Sequence, residues 1–289
     1  MFVEAFIEAA HDVFTGIHRD SQGLRGVVMT AGRLDGKVAI ITGASAGLGR
    51  AMGRIFTREG AKVLLAARRE DLLREAAVEA GSNAVAVRAD VTDEDDVIAM
   101  VGRAVAEFGR VDILCNNAAS PGQDMWVWEQ TLENWNATIA IDVTAAMLCT
   151  KHVLLQSMLE QRSGVILNFS STASYGGVTR KAHYVTAKAS LRAFTKAVAL
   201  EVGPHGIRCN CIVPGGIDTE LWRNWVARVA REEGVADDVI QQRAVKNTPL
   251  HTISSTEDVA GLALFLASDE SRTITGQSIP VDGGGYMQG

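Results

Sequence analysis

The sequence predicts an α/β fold in which helices cover both faces of one doubly wound parallel sheet. From Lys37 onward, short β-branched runs alternate with segments of helical periodicity, which is typical of successive β-α-β units. A cluster of glycines follows the first of these runs. With 289 residues, 47% of them hydrophobic, the chain is long enough to bury the core of one large domain.

The predicted elements follow one another from residue 37. Short apolar runs predict strands over residues 37–42, 62–67, 84–88, 111–115, 165–169, 207–213 and 278–281. Helical periodicity predicts helices over residues 48–58, 71–80, 95–108, 132–161, 183–202 and 257–266. Two further helical segments, 218–232 and 237–245, interrupt the alternation after the sixth strand. We therefore expect residues 34–289 to form a single domain with a small lid at about 217–246.

Residues 1–33 do not follow this alternation and are expected to form an N-terminal helical extension. Its apolar residues recur at helical spacing, at Phe2, Phe6, Ala10, Val13, Phe14 and Ile17. The other side is acidic, whereas a helix bound to an anionic membrane would present basic residues there. We expect the extension to pack on its own domain or on a neighbouring subunit; a membrane anchor and an inert extension are the alternatives.

Composition and charge argue against several functional classes. The 28 basic and 34 acidic residues give a formal net charge of −6, so the chain offers little to a nucleic-acid backbone. Uninterrupted apolar stretches reach about seven residues, short of the ~20 that span a bilayer. The histidines and cysteines have no metal-ligand spacing, and the thiols are interpreted as reduced packing residues of a cytoplasmic protein. We expect no metal, no nucleic-acid partner and no membrane.

The segment Thr42–Gly49 has glycines where a phosphate-binding turn needs them. Gly43, Gly47 and Gly49 follow the first strand in the spacing G-x-x-x-G-x-G, and Ser45, Ala46 and Leu48 occupy positions between them. Glycines let the backbone approach a pyrophosphate, and the N-terminus of the next helix offers unpaired N–H groups to it. The sequence therefore predicts a dinucleotide site at the end of the first strand.

The end of the second strand indicates which dinucleotide is bound. It reads Ala66-Ala67-Arg68-Arg69, without the carboxylate that would bind the ribose 2′-hydroxyl of NAD. The guanidinium of Arg68 can pair with a 2′-phosphate, which favours NADP over NAD. The alternative is that both arginines are solvated residues at the start of a helix, and Ala46 leaves the glycine loop without a basic side chain.

Three further residues indicate where chemistry takes place. Tyr184 and Lys188 lie one helical turn apart on one face of a predicted helix. Ser171 follows the fifth strand, whose carboxyl end opens into the crevice where doubly wound proteins bind ligands. With Thr42–Gly49, Asn116-Asn117-Ala118-Ala119 and Pro214-Gly215, these residues resemble the motifs of the short-chain dehydrogenase/reductases, in order and spacing. The resemblance is to the compact single-domain branch and covers residues 34–289.

The resemblance implies a Rossmann-type fold and hydride transfer between a nicotinamide cofactor and a carbonyl or alcohol carbon. By it, Tyr184 is the general acid/base, Ser171 holds the substrate oxygen and Lys188 binds the nicotinamide ribose. Asp90 and Val91 resemble the segment that contacts adenine, and Asn117 and Ala118 lie beside the cofactor. A later segment, with Pro214, Gly215, Ile217 and Thr219, resembles the one that closes over the nicotinamide in this family. A homotetramer is expected on the same ground.

Two positions depart from the family pattern. Asp142 stands where the family usually has an asparagine, seven residues after Trp135, and Ala119 where a glycine is common. The family's asparagine is thought to help anchor a water that leads protons to the lysine. We expect Asp142 either to keep that water or to pair with Lys188.

The segments after the strands predict the substrate class. Residues 120–130, 172–183 and 217–246 contain Trp126, Trp128, Tyr175, Trp222 and Trp225, which favour an apolar pocket for a hydrophobic or cyclic ketone or secondary alcohol. Alternatively, Trp222 and Trp225 pack a lid helix onto the body of the protein or onto a neighbour. Separately, His183 is expected to be a helix-start residue and not a catalytic base. The predicted function is an NADP(H)-dependent alcohol dehydrogenase or ketoreductase. The alternative is a nucleotide-binding regulator or scaffold of the same fold without turnover.

Overall fold

A computed structural model describes residues 32–246 and 248–287 of the chain. In this part of the protein, seven strands form one sheet in the order β3-β2-β1-β4-β5-β6-β7. The strands are β1 Val38–Thr42, β2 Lys62–Ala67, β3 Ala84–Arg88, β4 Ile113–Asn116, β5 Gly164–Phe169, β6 Ile207–Pro214 and β7 Ser278–Val281. All neighbouring strands pair in parallel. The predicted doubly wound α/β fold is confirmed.

Helices cover both faces of this sheet. They are α1 Gly47–Arg58, α2 Glu70–Ala80, α3 Glu94–Phe108, α4 Leu132–Gln161, α5 Ala173–Gly176, α6 Ala182–Val202, α7 Glu220–Glu233, α8 Asp237–Lys246 and α9 Thr256–Ala267. The sequence predicts each of them within a few residues except α5, a single turn after β5. Within α4, two turns are π-helical, at Ala140–Thr144 and Leu154–Met158.

The core consists of two apolar layers, one on each face of the sheet. Ile41 packs in the layer that contains Phe56 of α1, whereas its neighbour Ile40 packs in the layer that contains Met100 of α3. This alternation follows from the period of two in a strand. Because both faces are covered, β1 and β5 are buried along their whole length, as parallel sheets require.

The strand order positions the site. Within the sheet, β2 lies on one side of β1 and β4 lies on its other side. The direction in which successive strands are added therefore reverses between β1 and β4. Ligands bind outside the carboxyl ends of strands at such a reversal. The segments that follow β1, β4, β5 and β6 all begin at this edge.

One helix among the described residues, α4, is long and apolar enough to cross a membrane by length and composition alone. Core helices pass the same test, and half of its most apolar stretch is buried inside the protein. Val153 and Met158 of α4 are fully buried in the core layer of α3. Its packing is that of a core helix.

The segment predicted as a lid contains α7 and α8. Val226 and Ala230 of α7 pack with Ile240 of α8 in a small apolar cluster of their own. Residues 1–31 of the predicted N-terminal extension lie outside the described residues, so that expectation stays a prediction.

Candidate active site

Ser171 lies at the carboxyl edge of the sheet because pairing continues past the end of β5. The Ser170 N–H donates to the Ile212 carbonyl at 2.8 Å, and the Thr172 N–H donates to the Pro214 carbonyl at 2.9 Å. The Ser171 hydroxyl oxygen accepts the Ala173 N–H at 3.2 Å. The side chain is therefore held at the start of α5, half-buried at this edge.

Lys188 is buried beneath the site with its charge paired. Its Nζ lies 3.2 Å from Asp142 Oδ2 and donates to the Phe169 carbonyl at 3.1 Å. The same atom is 5.6 Å from the centroid of the Tyr184 ring. Burial acts to lower the pKa of Lys188, but the charges of Asp142 and Tyr184 outweigh it and the pKa lies above its ordinary value. The structure thus brings together Tyr184, Lys188 and Asp142.

Asp142 reaches Lys188 from the first π-helical turn of α4. Its side chain is buried, and its Oδ1 accepts the Ser120 N–H at 2.8 Å. Of the two alternatives for Asp142, the structure shows the pairing with Lys188. Because Asp142 also binds the segment after β4, one carboxylate connects that segment to the lysine of α6. Turns of π-helix occur frequently at functional sites.

The glycine turn between β1 and α1 has the shape that a phosphate group requires. Gly43 and Gly47 adopt positive φ angles of 66° and 53°, and a Cβ on Gly43 would lie 2.8 Å from the Cα of Ala118. Ala46 stands at the N-cap of α1 and has no side-chain acceptor for the first N–H groups. Those donors therefore stay available to an anion, and the turn fits a dinucleotide.

The ends of β1 and β4 are joined by hydrogen bonds. Thr42 Oγ1 accepts the N–H groups of Asn117 at 3.0 Å and Ala118 at 3.1 Å. In return, the Asn117 amide donates to the Thr42 carbonyl at 2.9 Å. Gly49 is buried against the same amide, where a Cβ would lie 2.7 Å from Asn117 Nδ2. These contacts explain why a threonine ends β1, why an asparagine follows β4 and why residue 49 is a glycine.

A cleft of about 430 Å³ runs along this edge past β1, β2 and β3. Of the residues predicted to bind the cofactor, seven line it: Gly43, Ser45, Arg68, Asp90, Val91, Asn117 and Ala118. Ala46, Gly47 and Leu48 are at least partly exposed in the adjoining turn. The cleft therefore collects in one place the residues predicted for the adenosine half of a dinucleotide.

The predicted residues after β6 lie on the other side of the glycine turn. Pro214 is the last residue of β6, and Ile217 pairs with Ser254 in an isolated bridge. Thr219 caps α7 by accepting the Trp222 N–H at 3.3 Å. The Thr219 methyl group is 3.6 Å from where a Cβ of Gly47 would be. The start of the lid thus lies beside the glycine turn.

The two arginines after β2 have different partners. Arg68 is 64% exposed, and its Nη1 is 3.7 Å from Asp90 Oδ2. Arg69 donates to Ser45 Oγ at 3.1 and 3.3 Å. The sequence predicts Arg68 as the cofactor-binding arginine, whereas in the structure Arg69 is the one that contacts the glycine turn. Which guanidinium reaches the glycine turn depends on the direction of the backbone after β2.

The aromatic residues of the loops occupy two places. Trp126 and Trp128 stack with centroids 5.1 Å apart, and both are exposed. Trp222 contacts Trp225 in the lid and also lines a second cleft of about 330 Å³, together with Gly215. His183 is fully buried, with Nε2 3.2 Å from the Pro121 carbonyl oxygen. It packs at the start of α6, as expected.

Two contacts near the site involve residues that local sequence patterns do not single out. Asp124 forms ion pairs with Lys181 and with Arg228 of α7. Tyr286, after β7, stacks on Tyr175. Their partners are distant in sequence, and neither belongs to a recognisable local pattern.

Comparison with known proteins agrees with this geometry. A family model described as enoyl-(acyl carrier protein) reductase matches residues 43–286. Momilactone A synthase of Oryza sativa subsp. japonica is 37% identical over 258 residues, which cover 88% of this chain and 91% of that protein. The 2,5-dichloro-2,5-cyclohexadiene-1,4-diol dehydrogenase LinX of Sphingobium indicum is 37% identical over 259 residues, covering 88% of this chain and 98% of the relative.

A solved structure is similar over the same part of the chain. The crystal structure of NAD+-bound xylitol dehydrogenase superposes with a TM-score of 0.82 at 30% sequence identity. The match covers 87% of this chain and 99% of the other. Together with the seven-stranded parallel sheet, these matches show that the chain belongs to the short-chain dehydrogenase/reductase family of oxidoreductases.

Proposed function

We propose that the protein transfers a hydride between NADP(H) and a hydrophobic or cyclic secondary alcohol or ketone, with Tyr184 as the general acid/base. One observation carries this proposal. The buried, ion-paired Lys188 lies 5.6 Å from the Tyr184 ring at the edge of the sheet where the dinucleotide cleft opens. A buried charge beside a phenol is costly to maintain, and it supplies the electrostatic field that proton transfer needs.

The residues divide the reaction between them. Reduction of a ketone needs a hydride at carbon and a proton at oxygen, and the reduced nicotinamide supplies the hydride when it is bound. The Tyr184 hydroxyl gives the proton to the carbonyl oxygen, and in the oxidative direction its oxygen takes the proton back. The Lys188 ammonium stabilises the negative charge left on the phenol oxygen. Ser171 donates a hydrogen bond to the substrate oxygen.

Three side chains support NADP over NAD. Ser45, Arg68 and Arg69 line the same cleft, and the hydrogen bonds between Arg69 and Ser45 bring a guanidinium to the glycine turn. No carboxylate ends β2, although Asp90 of the segment after β3 pairs with Arg68. NAD is the second candidate, since the similar xylitol dehydrogenase structure is NAD+-bound.

The cofactor proposal is tested with Arg69→Gln. Because a hydrogen bond to a charged group is worth about 1.5–3 kcal/mol, we expect KM for NADPH to rise by roughly one to two orders of magnitude. KM for NADH should stay nearly constant, since its ribose carries no 2′-phosphate. Initial rates with both cofactors measure this, and Arg74→Gln, an exposed arginine of α2, is the control. An equal effect on both cofactors, or a wild-type preference for NADH, contradicts the assignment.

The substrate proposal rests on Trp222, Val178 and Ile253 of the second cleft, which form an apolar part of its wall beside the hydroxyl groups of three threonines. The relative LinX is named for a cyclic diol. Absorbance of reduced nicotinamide should fall when the protein is mixed with NADPH and a cyclohexanone-type ketone. Turnover of acyclic polyols alone would overturn the substrate class. Tight NADPH binding without turnover of any ketone or alcohol would favour the regulator or scaffold.

A further inference from the structure

The chain returns to the substrate cleft after its last strand. Five residues beyond β7, the Tyr286 ring stacks on Tyr175 with centroids 3.9 Å apart and planes 5° from parallel. Both rings are half-buried. Tyr175 belongs to α5, which begins two residues after Ser171, so this contact connects the C-terminal segment to the wall of the site.

The C-terminal segment is held in this position by its own turn. The Asp282 carboxylate accepts the Gly284 N–H at 3.0 Å and the Tyr286 N–H at 2.7 Å. Gly283 and Gly284 have φ angles of 66° and 83°, in the left-handed region that glycine adopts without strain. A Cβ on Gly215 would lie 2.7 Å from the Asp282 Cβ. The turn is therefore packed closely on the segment after β6.

A cation covers the other side of Tyr175. The Arg192 guanidinium carbon lies 3.6 Å from the Tyr175 centroid, and Arg192 Nη1 donates to the Ser174 carbonyl at 3.2 Å. A guanidinium and an aromatic ring at these distances cannot share one ring face, so they lie on opposite faces. Arg192 of α6, Tyr175 of α5 and Tyr286 thus form a three-layer stack of the kind that cation–π and aromatic contacts stabilise.

This stack borders the cleft of about 330 Å³ beside the reacting residues. The cleft is lined by Thr172 and Ala173 directly after Ser171, by Gly215 and Gly216 after β6, and by the rings of Trp222 and Tyr286. The rest of the lining includes Val178, Thr248, Thr252 and Ile253, and Trp222 and Tyr286 are its two aromatic rings. Tyr286 therefore forms one wall of the cleft, which a bulky substrate would contact.

We propose that Tyr286 is a specificity-determining residue, held as the C-terminal wall of the substrate cleft by the Arg192–Tyr175–Tyr286 stack, which selects monocyclic over bulkier carbonyl substrates. The proposal rests on the proposed function, because it concerns the substrate of that reaction. The ring contacts the substrate, whereas the phenol hydroxyl takes no part. Removal of the ring enlarges the cleft and removes a contact from a small substrate.

Tyr286→Ala tests the proposal in the full-length enzyme, with cyclohexanone as the small ketone and camphor as the bulky one. We expect KM for cyclohexanone to rise on the order of tenfold while kcat changes little. The ratio of kcat/KM for camphor to that for cyclohexanone should rise by at least the same factor. Opposite changes for two substrates separate a role in selectivity from a loss of folding, which would lower both rates.

Two variants and a binding measurement make the outcome decisive. Tyr286→Phe keeps the ring and should retain the wild-type selectivity, and Met287→Ala alters an exposed neighbour in the same segment. Saturation-transfer NMR with cyclohexanone and NADP+ compares binding without turnover, so an inactive wild type would count against the proposed function alone. An unchanged ratio and unchanged binding in Tyr286→Ala overturn the proposal. So does Tyr286→Phe or Met287→Ala behaving like Tyr286→Ala.

Discussion

Lys188 and Asp142 are two charged residues in the candidate active site whose burial is energetically unfavourable. Both side chains are almost fully buried, where an unpaired charge is strongly unfavourable. Their ion pair, with the Phe169 carbonyl and the Ser120 N–H as further partners, compensates both charges. Removal of one partner leaves the other as an unpaired buried charge, which destabilises a protein more than replacement of both partners by apolar residues. The pair therefore acts as a unit.

Tyr184→Phe should lower kcat by about 10²–10⁴-fold, because only the hydroxyl can exchange a proton with the substrate. Binding of NADPH should change little, since the ring remains in place beside Lys188. Steady-state rates and a fluorescence titration with NADPH measure the two effects. Ser190→Ala removes another hydroxyl from α6, one bonded to the Thr186 carbonyl, and should stay active. Substantial turnover by Tyr184→Phe would remove the tyrosine from the mechanism.

Asp142→Asn should move the alkaline limb of the pH–rate profile to lower pH. Burial acts to lower the pKa of Lys188, and the Asp142 carboxylate is the main group that raises it. Without that charge the ammonium loses its proton at a lower pH, and the field on Tyr184 is lost with it. The amide oxygen can still accept the Ser120 N–H, so the protein should fold. Identical profiles of kcat/KM for the two proteins would show that Asp142 is structural.

At the scale of elements, ion pairs join the lid to the helix that carries Tyr184. Asp124, in the segment after β4, pairs with Arg228 of α7 at 2.5 Å and with Lys181, just before α6. Burial acts to raise the pKa of Asp124, but Lys181 and Arg228 outweigh it and hold the pKa below its usual value. All three side chains are at least two-thirds covered. One carboxylate thus links three segments of the chain.

Arg228→Gln should raise KM for the ketone about two- to fivefold, because a partly exposed ion pair contributes up to about 1 kcal/mol. Salt screens such pairs, so KM of the wild type should rise between low and high salt, and KM of the variant, which keeps only the Asp124–Lys181 pair, should rise less. Arg231→Gln alters an arginine of the same helix whose Nε donates to the Ala227 carbonyl and serves as control. Equal salt dependence in Arg228→Gln and the wild type would argue against the link.

The element boundaries show how far local patterns reach. Hydrophobic periodicity predicts α4 as one helix over residues 132–161, and the structure has a helix there. Its π-helical turns were not predicted, because the extra residue in such a turn is placed by packing rather than by local propensity. The first of them carries Asp142. The short α5 was missed because one helical turn contains too few residues for a period.

At the scale of the whole molecule, all four cysteines lie inside the core. Burial raises the pKa of Cys149 to about 12 and that of Cys211 to about 11. Burial also raises the pKa of Cys115 and Cys209. The thiolate is the reactive form, so these side chains are inert as long as the fold is intact. This agrees with their interpretation as reduced packing residues.

At pH 8 we expect an aromatic disulfide reagent to label none of the four thiols in the native protein, and all four in denaturant. The free energy of unfolding should fall as the pH rises above about 9, because the unfolded chain then releases thiol protons that the native protein retains. Thiol titration and urea melts at pH 8 and 10 measure the two effects. Rapid labelling of a native thiol, or stability that is constant across this range, would contradict the burial argument.

Assembly and location also belong to this scale and stay predictions. The homotetramer is expected from the family resemblance, and light scattering of the full chain would test it. The cytoplasmic location is expected from the cysteines, which are interpreted as reduced. Residues 1–31 of the N-terminal extension lie outside the described residues, so its helical structure stays a prediction.

Local sequence patterns predict the order and type of the elements, the glycine turn, and Ser171, Tyr184 and Lys188 as candidate residues of the site. Those features depend on side-chain periodicity, on residues that allow particular backbone angles, and on fixed short spacings. Tertiary packing brings Arg69 to Ser45, pairs Asp142 with Lys188 and stacks Tyr286 on Tyr175. Each of these contacts joins residues more than twenty positions apart. Such pairs meet only where the packing of helices on the sheet places them, which local sequence patterns do not encode.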